Sequence, residues 1–134
     1  MEEKRVVISG IGAVSCVGNS VAAMWDSLLN GKSGIAPVTI FDSSSCKTQI
    51  AGEVKNFDPL QFVDAKDARR LDDYCIFSIA AYEEARKDAG LPLDFRDAGS
   101  PIDPDRIGVI IGTGIGGMRT IESQARVLVA KGPS

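Results

Sequence analysis

With 134 residues, 44% of them hydrophobic and 25% charged, the chain has the length of one domain and the composition of a folded one rather than a disordered one. Fifteen basic against eighteen acidic side chains leave a net charge of −3, which gives no electrostatic reason to expect a nucleic-acid partner. The sequence has no histidine, and its three cysteines at 16, 46 and 75 form neither a disulfide framework nor a C-x-x-C metal pair. No apolar run is long enough to span a bilayer, and the opening "MEEKRVVISG" lacks a signal peptide's apolar stretch, so a cytoplasmic location is expected.

The β-branched run "RVVIS" at 5–9, bounded by Gly10, predicts a buried strand. A helix follows, capped by Asn19 or Ser20, with Val21, Met24, Trp25, Leu28 and Leu29 on one face and Gly31 closing it in the left-handed conformation. Turn composition around 42–45 precedes a short exposed strand at 48–54, and "FDP" at 57–59 marks another turn. A long helix is predicted over 64–90, polar at first and apolar on nearly every side from 74 to 82, which suits a helix between layers; Gly90 and Pro92 end it. The Pro- and Asp-rich stretch at 92–106 reads as an irregular connection. The continuously apolar run at 107–111 predicts a second, central parallel strand. Met118, Ile121, Ala125, Leu128 and Val129 then mark a last amphipathic helix, stopped by Gly132 and Pro133. Strands alternating with helices predict an α/β layered fold in a single partial domain over 1–134.

Gly112, Gly114 and Gly117 match G-x-G-x-x-G after the second strand, the spacing of a dinucleotide-binding turn. Such a site also needs an acidic residue about twenty positions on to hold the ribose hydroxyls. In the second segment that position falls near 132–134, which has no acid; in the first, Ser15 replaces the third glycine and Asn30 and Gly31 stand where the acid belongs. The glycines therefore read better as sites of close packing or of close approach by a ligand.

Six segments in order resemble the amino-terminal part of β-ketoacyl-acyl-carrier-protein synthases of the elongating type II kind. They are "RVVISGIGAVSCVGNS", Trp25 to Ile35 with "FD" at 41–42, "AGEVKNFDP", "AKDARRLDDY", "IGVIIGTGIGG" and "KGPS". The resemblance implies a thiolase-like α-β-α layered architecture, of which only part of the first half is present. It implies acyl transfer followed by decarboxylative condensation of malonyl with acyl carrier protein, with no cofactor, and a homodimer. A nucleophilic cysteine and two histidines carry that chemistry in such proteins, and all three lie downstream of the residues seen here. None of Cys16, Cys46 and Cys75 stands in the nucleophile's context, so no catalytic residue is assigned, and a truncated chain, inactive alone, is expected.

The resemblance places Ile115 at the inner end of the acyl pocket, with Gly114 and Gly116 leaving room for the acyl chain, although an apolar side chain after a strand also fits plain core packing. It matches Lys66, Arg69 and Arg70 to a cluster that docks acyl carrier protein. Independently, the i, i+3, i+4 spacing puts three cations on one face of the predicted helix, where they can meet a partner's carboxylates or pair with Asp64, Asp67, Asp72 and Asp73. The other readings are a nucleotide-binding α/β domain, a non-catalytic subunit resembling a chain-length factor, and a polyketide ketosynthase fragment.

Overall fold

A computed structural model of the chain describes residues 5–96, 100 and 102–133. Helix α1 spans Val21–Leu29, and of the two capping candidates Ser20 is the cap, its Oγ accepting from the Ala23 amide at 3.2 Å. Gly31 (φ 62) closes α1: its amide donates to the Leu28 carbonyl while that of Lys32 reaches back to Ser27. Helix α2, Asp73–Asp88, stops in the same way at Gly90 (φ 66), with Gly90 donating to Lys87 and Leu91 to Arg86. Both pairs of bonds satisfy carbonyls that a helix end would otherwise leave unpaired.

Strands β1 (Ile35–Pro37) and β2 (Ile50–Gly52) form an antiparallel pair with Ala36 opposite Ala51, the one ladder among the described residues. β2 falls inside the short strand expected at 48–54. β1 was not expected, and its Pro37 is tolerated because both strands of a two-stranded ribbon are edges. Cys16 packs on this hairpin: a Cβ at Gly34 or Gly52 would stand 2.6 or 2.8 Å from its Sγ.

Three expectations need correction. The segments at 5–9 and 107–111 are in no ladder, and Val6 and Ile110 are 94% and 98% exposed. An apolar β-branched run becomes a strand only when another strand satisfies its backbone, and no described segment does so. The long helix begins at Asp73 rather than at 64. Upstream, the Asp64 carboxylate accepts from the amides of Lys66 and Asp67, and backbone bonds close separate turns at Asp64–Ala68 and Asp67–Leu71, so the chain turns twice without continuing as a helix. Finally, α2 is not enclosed on every side: Ile76 and Ala80, one turn apart, are buried, whereas Tyr74 and Tyr82 are exposed. The expected connection at 92–106 falls partly outside the described residues, as does the last residue of "KGPS".

The first glycine segment lies directly on α2. A Cβ at Gly10 would stand 2.3 Å from the Ala85 carbonyl oxygen, and one at Gly12 only 1.9 Å from that of Ala81. Two α2 carboxylates fasten the same segment: Glu84 accepts from the amides of Ala13 (2.9 Å) and Val21 (2.8 Å), and Asp88 from that of Ile11 (3.0 Å). Phe57 stacks on Phe62 and meets Phe77 of α2 edge-on, with ring centroids 5.4 and 5.0 Å away. Helix α3, Met118–Lys131, is exposed along its length, including the expected stripe of Met118, Ile121, Leu128 and Val129. No helix among the described residues is long and apolar enough to cross a membrane.

Candidate functional site

Lys66, Arg69 and Arg70 lie on the two turns that precede α2, not on one face of a helix. The physical premise for grouping them therefore changes, but their availability does not. All three side chains are exposed, and among the described residues none is in an ion pair. Three of the four nearby acids that might have neutralised them are otherwise engaged: Asp64 holds backbone amides, Asp72 accepts from Thr120 Oγ1 at 2.7 Å, and Asp73 pairs with Arg119.

Ile115 sits at the crest of a tight turn and is 74% exposed, so core packing within the described chain is not its role. The turn is closed by the Gly116 amide, which donates to Thr113 Oγ1 at 3.0 Å, and Gly116 has φ 80, which favours glycine. Among the described residues, a Cβ at Gly112, Gly114 or Gly116 would meet nothing within 4 Å, so this turn faces open space beside Ile115.

The two glycine segments thus serve different ends. Gly10 and Gly12 permit contact with a helix, whereas Gly112, Gly114 and Gly116 have no described neighbour where a Cβ would stand. Gly117, the third glycine of the motif, answers yet another need, because a Cβ there would stand 2.0 Å from Asp72 Oδ2. A carboxylate thus already faces the start of α3, where a dinucleotide would place its pyrophosphate, and like charges at that distance oppose phosphate binding. The part played by Asp72, Arg119 and Thr120 was not foreseen. An aspartate directly before an apolar helix reads as that helix's own cap, and nothing in the local pattern signals a partner 48 residues away.

An open recess of about 270 Å³ lies between these parts, walled by Arg69, Asp72, Asp73, Arg119, Thr120 and Ser123. A smaller one of about 160 Å³ lies beside the aromatic cluster, lined by Val54, Phe57, Ile76 and Phe77, and shares Asp73 with the first.

The profile described as "Beta-ketoacyl synthase, N-terminal domain" matches residues 3–132. Proteins named "3-oxoacyl-[acyl-carrier-protein] synthase 2" are 43% identical over 134 residues in Synechocystis sp., 46% over 133 in Coxiella burnetii and 44% over 132 in Staphylococcus aureus. These matches take in 100%, 99% and 98% of this chain but 31%, 31% and 30% of the relatives, so the chain spans just under a third of their length. Among solved structures, a type II PKS ketosynthase bound to a hexaketide and in complex with its acyl-carrier protein superposes with a TM-score of 0.72 at 26% identity, over 96% of this chain and 33% of that one. The ishigamide ketosynthase/chain length factor gives 0.73 at 28% identity, over 96% of this chain and 30% of that one.

Proposed function

Because the chain belongs to the β-ketoacyl synthase family, whose N-terminal domain it matches, we propose that it is the opening portion of a condensing enzyme of fatty-acid elongation. The observation that carries this reading is identity of 43–46% over essentially the whole chain to synthases of that one name in separate organisms. The complete protein then has the layered thiolase-like architecture and works as a homodimer in the cytoplasm. The unpaired apolar segments at 5–9 and 107–111 are the parts of this chain suited to a larger sheet.

In the reaction, a cysteine thiolate downstream of these residues takes the acyl group from one carrier protein and releases that carrier's thiol. Malonyl carrier protein loses carbon dioxide, and the resulting enolate carbon attacks the acyl-cysteine thioester. A carbon–carbon bond forms, the cysteine leaves as thiolate, and the product is a 3-oxoacyl chain two carbons longer. Such chemistry needs imidazole and backbone N–H groups to hold developing negative charge, and the histidine-free segment here supplies neither imidazole.

The contribution of these residues is to recognise and to fit. Lys66, Arg69 and Arg70 dock acyl carrier protein, supported by their exposure and by the lack of ion pairs to them among the described residues. Ile115, with Gly114 and Gly116 giving space beside it, lines the far end of the acyl pocket, supported by the exposure of that turn and the open space at its glycines.

The complete protein, given an acyl carrier substrate and malonyl carrier protein, is expected to release carbon dioxide and form the 3-oxoacyl carrier product. Absence of condensation, together with a rise in melting temperature on adding NAD(P), would favour a nucleotide-binding domain instead. The likeness to a ketosynthase/chain length factor supports a second reading, a non-catalytic partner subunit. Mass spectrometry separates the two, since only the enzyme gains a covalent acyl group on cysteine, with release of the carrier's thiol, when incubated with the acyl-loaded carrier protein.

A further inference from the structure

Asp72 occupies the N-cap of α2 with φ −69 and ψ 151, backbone angles that allow an aspartate to cap its own helix, yet its side chain makes no capping bond there. It turns instead to the first turn of α3, accepting from Thr120 Oγ1 at 2.7 Å and lying against Gly117, the N-cap of α3. Asp73, the next residue, pairs with Arg119. Among the described residues, all side-chain hydrogen bonds and ion pairs that join α3 to the rest of the chain belong to this clasp.

The clasp stands between the two features of the proposed function. Arg69 and Arg70 lie two or three residues before it, and Ile115 lies four residues before Arg119. Arg69 is both a member of the docking cluster and part of the wall of the open 270 Å³ recess that the clasp borders. That recess is not an anion site of its own, because Asp72 and Asp73 put carboxylates in its wall beside the two guanidinium groups.

We propose that Asp72 and Arg119 are positioning residues: Asp72 acting through Gly117 and Thr120, and Arg119 through Asp73, they set the turn that carries Ile115 relative to the docking turns, and so determine which acyl chain lengths are accepted. The inference rests on the reading of Ile115 as the end of the acyl pocket. Both side chains act by anchoring the chain on the C-terminal side of the 113–117 turn to the start of α2.

The test uses the complete enzyme. Asp72→Ala should speed amide exchange several-fold through 112–117 while the amides around Ile76 and Ala80 exchange as in the parent. It should broaden the chain-length profile while leaving KM for the carrier protein unchanged, whereas Arg69→Glu should raise that KM. Arg119→Ala should do as Asp72→Ala does, and Arg119→Lys should restore most of the parent profile. If Asp72→Ala does not fold, Thr120→Val, which removes only the hydroxyl, gives the same readout in weaker form. Unchanged exchange through 112–117 would overturn the positioning role, and faster exchange with an unchanged chain-length profile would overturn the specificity claim. Ile115→Phe is the control. If it leaves the profile unaltered, the acyl-pocket reading fails, while the exchange result still decides whether the clasp positions the turn.

Discussion

A methyl group added at Gly12 would stand 1.9 Å from the Ala81 carbonyl oxygen and 2.8 Å from the Ala85 amide nitrogen, and both obstacles are main chain. Gly12→Ala must therefore push the 10–13 segment off α2, a strain on the order of 1–3 kcal/mol. Gly114→Ala, at the matching place in the look-alike segment, meets nothing within 4 Å among the described residues and should change stability by less than about 0.5 kcal/mol. Urea midpoints of the two variants compare them directly. Glu84 is the second point of attachment. Replacing it by Ala strands two part-buried amides that it now accepts from at 2.9 and 2.8 Å, so a loss of about 2–3 kcal/mol is expected in the same measurement. From sequence, both glycine segments had the same appearance, because the pattern records the missing Cβ and not the atom that fills the space.

The helices show which features are written locally. The cap at Ser20 and the stops at Gly31 and Gly90 could be predicted because each depends on neighbours within six residues. Ser20→Ala should cost about 1 kcal/mol, seen as a lower urea midpoint with α1 frayed in exchange experiments. The start of α2 could not be predicted, since the charged residues at 64–72 suit a helix by propensity and only the bonding of Asp64 shows otherwise. The segments at 5–9 and 107–111 failed as strands for the opposite reason: their local character is right and their partners are missing. Two carboxylates tie these elements to solvent acidity. The hydrogen bond from Arg86 holds Glu83 below the usual glutamate range, and those from Thr39 hold Glu53 there also. In the unfolded chain each would take up its proton at higher pH, so their stabilisation is complete above roughly pH 5 and declines as the pH falls through the native values. Glu83→Gln and Glu53→Gln should therefore flatten the acid limb of the stability curve followed by circular dichroism.

Taken whole, the chain leaves much apolar surface in water, with Val6, Ile8, Val109, Ile110 and Val129 all exposed. A 134-residue polypeptide of this sequence should self-associate, appearing in analytical ultracentrifugation above the mass of one chain, 14.2 kDa. At the same scale the exposed cations predict a salt-sensitive encounter. In the complete enzyme, Arg69→Glu with Arg70→Glu should raise KM for carrier protein and reduce its dependence on ionic strength. Kinetics like the parent's would remove the docking role. The proposed docking role and acyl pocket rest on family resemblance, because three spaced cations and one isoleucine carry no partner's name. The clasp was legible by neither route, since it joins residues whose separation in sequence hides them from any local pattern.

The seam between Gly10, Gly12 and the α2 backbone at Ala81, Ala85 and Ala89 also limits how this molecule can change. Where two side chains collide, enlarging one can be answered by trimming the other. Here the incoming carbon strikes peptide groups that every residue possesses, and trimming an alanine to glycine removes only a methyl. No second substitution can undo the first, so repair would have to come from moving a whole helix.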